Sequence, residues 1–318
     1  MFSSSRKNLS NGNNSVDASP IKNLAYVCHS WKKNMRLISF EHNGTVSWGL
    51  LDGTRIIDAG PLASRFGATL KEALQKDTLS DLGGWAASAD ATLELANVKL
   101  LPVILDPQKI LCVGINYLSH VQETGREVPK HPMIFTRWAD SQTGHEGPIV
   151  RPTVSEKLDF EGELAVVIGK RARHVKQADA LQHVAGYACY NDGTVRDWQK
   201  HTIQFTPGKN FPATGGFGPC LVTPDEVGDP SSLKLVTRLN GAIVQEAFTN
   251  DLIFDVARLI EYCSVFTELS PGDVIITGTT GGVGAFRAPP LWMKPGDVVE
   301  VEISRVGTLR NIVVDEVL

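Results

Sequence analysis

The feature that most constrains this chain is a run in which carboxylates lead straight into an apolar stretch. It reads Leu158-Asp159-Phe160-Glu161-Gly162-Glu163-Leu164-Ala165-Val166-Val167-Ile168-Gly169. The tail of the run has the pattern of a buried strand. Alternate residues on a strand point the same way, so Glu161 and Glu163 face one side, next to a core that does not tolerate bare charge. Two carboxylates at neighbouring same-face positions repel and raise each other's pKa. A divalent cation between them removes the repulsion, and hard oxygen donors favour Mg²⁺, Mn²⁺ or Ca²⁺ over zinc. A solvated strand edge, with Asp159, Glu161 and Glu163 in water, is the plainer alternative. The run alone leaves both open.

A second polar cluster follows the apolar stretch Val184–Tyr190: Asn191-Asp192-Gly193-Thr194-Val195-Arg196-Asp197-Trp198-Gln199. Asp192, at a strand end, can complete a carboxylate triad. Arg196 and Gln199 share a face if a helix follows. An arginine fork suits a substrate carboxylate because it binds two oxygens at once. An Asn-Asp-Gly turn with surface ion pairs would look the same.

Turn signals punctuate the rest. Pro-Gly-Asp occurs at 271–273 and 295–297, and Asn43-Gly44, Asp52-Gly53 and Asn240-Gly241 are two-residue hairpin signals. They predict strands within 35–58 and at Ile110–Gly114, Leu158–Ile168, Val184–Tyr190, Leu233–Leu239, Ala242–Glu246, Val274–Thr277 and Val298–Ile303. Helix is expected across 66–98, briefly around His120–Glu123, and over an amphipathic Asp251–Leu269 capped by Thr249 or Asp251. The sum is a mainly β (α+β) protein. Residues 35–105 read as a small N-terminal α+β domain and 106–318 as the catalytic one. Residues 1–34, rich in Ser and Asn at their start, read as a disordered or dispensable extension. Loss of activity in a chain starting at Met35 would contradict that.

Composition excludes several classes. A net charge of −4 with no basic stripe argues against nucleic acid as a partner. No run of eighteen apolar residues exists to span a membrane. Five scattered cysteines without a Cys-x-x-Cys pair indicate neither a zinc ribbon nor a disulfide framework, and fit a reduced, cytoplasmic setting. The Gly278–Gly284 run lacks a following Lys-Ser/Thr, so it is no P-loop.

The segments Asp159-Phe-Glu-x-Glu-Leu164 and Asn191-Asp-Gly-Thr-x-Arg-Asp-x-Gln199 resemble the signature of the fumarylacetoacetate hydrolase family. Other pieces agree in order: Cys112–Tyr117, Gly186-Tyr187, Gly208-Lys209, Asn240-Gly241, Pro271–Thr279 and Gly282-Val-Gly284. The likeness runs from Lys109 to the C-terminus. It implies a mixed β-sandwich roll and a homodimer. It also implies one Mg²⁺ or Mn²⁺ (Ca²⁺ in a crystal) on Glu161, Glu163 and Asp192, and a small 2-oxo or 2,4-dioxo acid as substrate. It maps the family's lid pair onto His120 and Glu123 as activators of water, and its lysine onto Lys209 as an oxyanion donor. Arg196, Gln199 and Thr279 fall on substrate contacts. The implied reaction is hydrolysis of a C–C bond in an acylpyruvate-like acid, giving a carboxylate and pyruvate or a related 2-oxo acid. An oxaloacetate-type decarboxylase or a hydroxymuconate-type isomerase, using the same enolate, is the alternative; a non-catalytic metal-binding relative is a third. Three positions depart from the family pattern: Thr280 for Pro, Arg137 for Lys, and Gly215-Gly216 for a bulkier stretch. The first and third are expected near the pocket, which puts the substrate in doubt and not the metal site.

Overall fold

Asn43 and Gly44 both adopt positive φ, 50° and 76°, in the computed structural model, which describes residues 34–125 and 127–318. That geometry matches the twist of the strands it joins. Arg36–His42, Thr45–Asp52 and Arg55–Asp58 follow as successive antiparallel strands. Residues 1–33 of the expected extension, Cys28 among them, lie outside the described residues.

The helical expectation over 66–98 is corrected to the end of a helix Ala63–Phe66, two short helices, Leu70–Gln75 and Leu79–Ala86, a strand Leu93–Glu94 and a 3₁₀ turn Leu95–Asn97. Thr69 caps Leu70–Gln75 by accepting from Glu72 N. Asp77, at φ 55°, then turns the chain.

The strand Gly162–Ile168 is buried at every position. It lies antiparallel to Val184–Asp192 on one side and to Val274–Ile276 on the other. Leu164, Val166 and Ile168 enter a core with Leu235, Val301, Ile303 and Leu309 of a second sheet. Ala165 and Val167 enter the opposite core, with Phe66, Leu70, Leu74 and Leu82 from the N-terminal helices. A strand covered on both faces has to be apolar without alternation, which is why this run is continuous.

The large sheet has the order Leu93–Glu94, Arg55–Asp58, Thr45–Asp52, Arg36–His42, Gly215–Val222, Val184–Asp192, Gly162–Ile168, Val274–Ile276, Ile110–Gly114, Met133–Arg137. Arg36 pairs with Val222 and Leu37 with Leu221, so the N-terminal strands continue the sheet that carries the acidic residues. Ala242–Phe248, Lys234–Leu239, Val298–Ile303, Gly307–Asp315 and Pro148–Arg151 form the second sheet. The fold is mainly β: two mixed sheets stacked, a two-stranded pair of Leu158–Asp159 with Thr194–Val195, and a few short helices. No helix among the described residues is long and apolar enough to cross a membrane.

The amphipathic helix expected over 251–269 is Val256–Phe266, capped by Asp255, which accepts from Arg258 N at 2.8 Å. Thr249–Asp251 is a separate 3₁₀ turn. The chain between is held out of the helix by Asn116, whose backbone oxygen accepts from Ile253 N at 2.7 Å and whose Oδ1 accepts from Phe254 N at 2.9 Å.

Candidate active site

The strand register assembles the acidic cluster. Glu163 stands opposite Tyr190 and Gly162 opposite Asn191. One step further, Asp192 N donates to Glu161 O at 2.8 Å, which sets Asp192 beside Glu161. Asn191 Oδ1 accepts from Glu161 N at 2.9 Å and fixes the start of the acidic run. Glu161, Glu163 and Asp192 are all buried, and one carboxylate oxygen from each lies within 4.8 Å of the other two.

Three buried cations share this space. Lys209 Nζ is 2.6 Å from Glu161 Oε2 and 2.5 Å from Asp192 Oδ2. Arg137 Nη1 is 2.7 Å from Asp192 Oδ1. Arg196 Nε is 2.7 Å from Asp159 Oδ2, and its Nη2 is 2.6 Å from Glu161 Oε1. The guanidinium is thus engaged by protein carboxylates on both Nε and Nη2.

The charges divide the carboxylates. Burial pushes Glu161 up, but Arg196 and Lys209 outweigh it and hold the group at about 2. Glu163 has no ion pair among the described residues. Burial first, then the charges of Asp192 and Glu161, raise it well above the ordinary carboxylate range. A divalent cation would supply the missing positive charge, and an all-oxygen donor set fits Mg²⁺ or Mn²⁺.

Asp159, which the plainer sequence reading left in water, is wholly buried. It accepts from Phe160 N and Gly284 N on Oδ1, and from Ala285 N and Arg196 Nε on Oδ2. The Gly-rich turn therefore holds carboxylates through its backbone. Gly278 N donates to Glu163 Oε2 at 2.6 Å, Gly282 N to Glu123 Oε1 at 2.9 Å, and Gly284 N to Asp159 Oδ1 at 2.8 Å.

The opposite wall comes from the helix Leu118–Thr124. At i,i+3 spacing Glu123 Oε2 reaches His120 Nδ1 at 3.0 Å. His120 is buried and meets the edge of Phe286, with ring centroids 6.0 Å apart. His120, Glu161, Glu163, Arg196, Gln199, Lys209 and Thr279 line one cavity of about 280 Å³, together with Phe135, Phe205 and Phe286. Within it Gln199 Oε1 accepts from Arg196 Nη1 at 3.1 Å, and Thr279 Oγ1 donates to Gly162 O at 3.0 Å. All nine residues singled out in the sequence thus fall in or beside one site. Lys209 pairs with Glu161 and Asp192, and Arg196 with Asp159 and Glu161.

Arg137 is buried and pairs with Asp192 without lining the cavity. Besides Asp192 it donates to Gly193 O at 3.0 Å and Thr214 Oγ1 at 2.7 Å. A Cβ at Gly215 would sit 2.9 Å from Arg137 Nη2. The two departures from the family pattern are therefore linked, since the larger guanidinium uses room that glycine leaves. Gln245 was also missed. Its Oε1 accepts from Gly162 N and its Nε2 donates to Thr279 Oγ1, tying the acidic run to the Gly-rich turn.

The family model of the fumarylacetoacetate (FAA) hydrolase C-terminal domain matches residues 109–314. The protein named oxaloacetate tautomerase fahd2, mitochondrial, from Xenopus laevis is 39% identical over 289 residues, covering 88% of this chain and 91% of that one. Fumarylacetoacetate hydrolase from Exiguobacterium antarcticum has a structure with TM-score 0.79 at 34% identity, covering 89% of this chain and 100% of its own. Maleylpyruvate hydrolase from Sphingobium sp. SYK-6, solved with a manganese(II) ion and pyruvate, gives TM-score 0.74 at 27% identity, covering 89% and 100%. With the whole acidic signature in place, this chain belongs to the fumarylacetoacetate hydrolase family.

Proposed function

We propose that this chain is a divalent-metal-dependent enzyme that moves a proton within a small 2-oxo diacid, interconverting the enol and keto forms of oxaloacetate or a close analogue. One observation carries the reading: His120, held by Glu123, lines the same small cavity as Glu161 and Glu163, the two members of the Glu161–Glu163–Asp192 cluster that reach it. The Xenopus relative, similar over most of both chains, is named for that activity.

Glu161, Glu163 and Asp192 would hold the cation, which would supply positive charge at the 2-oxo acid end of the substrate and so acidify the neighbouring C–H. Arg196 and Gln199, both lining the cavity, orient the acid from the side. In the enol-to-keto direction the C2 hydroxyl loses its proton to solvent, and protonated His120 delivers one to C3. In reverse, neutral His120 takes the C3 proton, and Glu123 steadies the imidazolium. Phe135, Phe205 and Phe286 give the cavity an apolar wall beside these polar groups.

C–C hydrolysis is the second reading, favoured by the same dyad, since a fixed imidazole can also take a proton from water. It needs Lys209 to meet an oxyanion, and Lys209 Nζ already contacts Glu161 and Asp192. Enolisation needs no such donor.

The test dilutes enol oxaloacetate into buffer with Mg²⁺ or Mn²⁺ and follows loss of its ultraviolet band, beside an acylpyruvate panel in ¹⁸O water. Cation-dependent enol decay, slowed about a hundredfold or more in His120→Asn, supports the proposal. Acylpyruvate cleavage with label in the released carboxylate, and no effect on the enol, would make the chain a hydrolase. Release of carbon dioxide from oxaloacetate would make it a decarboxylase.

A further inference from the structure

The helix that carries His120 is too short to hold itself. Leu118–Thr124 has seven residues, and helices below about 12–15 residues are marginal in water. Tyr117, at its N-cap, supplies no side-chain cap. The exposed end of the helix is satisfied from elsewhere in the chain. Asp251 Oδ2 accepts from Ser119 N at 3.1 Å and from Ser119 Oγ at 2.7 Å, across 132 residues. Ser119 Oγ also lies 3.1 Å from Thr280 Oγ1. Thr280 is the position where the family pattern has proline, which has no hydroxyl to offer.

This contact reaches the acidic cluster through hydrogen bonds. Thr280 O accepts from Gln245 Nε2 at 3.1 Å, and Gln245 Oε1 accepts from Gly162 N, between Glu161 and Glu163. At the other end of the helix, Glu123 takes the N–H of Gly282. Both ends are thus pinned to the Gly-rich turn, and the first pin depends on a carboxylate that does not line the cavity.

We propose that Asp251, acting through Ser119 and Thr280, is a positioning residue for His120: a cap supplied from a separate element that fixes the helix Leu118–Thr124 over the cavity. The assignment rests on the reading of His120 as the proton-transfer group. Asn116 and the Tyr117–Leu252 bridge anchor the base of the helix independently, so removing Asp251 frees the helix without unfolding the chain.

The test compares Asp251→Ala, Asp251→Asn and Ser119→Ala with the wild type, all loaded with Mn²⁺. Asp251→Ala is expected to lower kcat about tenfold, with KM and Mn²⁺ affinity unchanged and faster amide exchange confined to 118–124. Asparagine caps as well as aspartate, so Asp251→Asn should recover most of the loss. In a His120→Asn background, Asp251→Ala should cost nothing further. Wild-type kcat and exchange in Asp251→Ala, with His120→Asn inactive, would overturn the assignment alone. So would an additive loss in the double variant. Full activity in His120→Asn would overturn the reading of His120, and this assignment with it.

Discussion

Asp192 is gripped from both sides, by Lys209 on Oδ2 and by Arg137 on Oδ1. Arg137→Met would leave one buried oxygen without its partner, and groups that orient a ligand typically matter about 10- to 100-fold in metal affinity. Calorimetric titration with Mn²⁺ should show a loss of that size. Gly215→Ala, which crowds the guanidinium, should show a smaller one. Glu163 makes the metal-free chain sensitive to pH. Its ordinary value is 4.5 and its folded value lies well above that, so the folded chain binds this proton more tightly than the unfolded chain. Stability should therefore fall as pH rises from 4.5 through the raised value. Glu161 acts oppositely, its contribution present above 4.5 and lost as pH falls toward about 2. A cation replaces the proton on Glu163, so the rise in Tm on adding Mn²⁺ should be larger at about pH 8 than at about pH 5; an equal rise would contradict this. Glu161, Glu163 and Asp192 were legible in the sequence because strand alternation and a strand end are local signals. Arg137 and Gln245 were not, because they reach the cluster only through long-range pairing, Arg137 across 55 residues to Asp192.

The element that organises the site is the turn Gly278–Gly284. Its glycines serve close approach: a Cβ at Gly284 would meet Leu291 O at 1.8 Å and Asp159 Oδ1 at 2.6 Å. Gly284→Ala should cost about 2–3 kcal/mol of stability, read from urea denaturation, by forcing the backbone away from Asp159. The sequence marked this run as a turn but could not show that its N–H groups serve three carboxylates. The misplaced start of the helix Val256–Phe266 has a similar origin. Leu252 continues the apolar spacing, yet Asn116 holds 253–254 in a bend from outside the segment. Asp251, expected to cap that helix, caps another one.

At the scale of the molecule, the acidic strand is central because sheet continues on both sides and cores lie on both faces. Mainly β architecture was legible from the turn dipeptides. The junction of Arg36–His42 with Gly215–Val222 was not, since Met35 meets Thr223 across 188 residues with no local mark. Phe40, fully buried in this strand, should cost about 3–5 kcal/mol when changed to Ala. A chain beginning at Lys109 would leave Gly215–Val222 with an open edge and should aggregate; soluble, monodisperse and active protein would show that the N-terminal strands are dispensable.

The most direct test is a Mn²⁺ titration, by calorimetry or by the free-ion paramagnetic signal, of the wild type and of Glu161→Gln, Glu163→Gln and Asp192→Asn. The expected result is one ion per wild-type chain and binding at least about a hundredfold weaker in each variant. Wild-type stoichiometry and affinity in all three variants would place the metal elsewhere and remove the basis for proton transfer in this cavity.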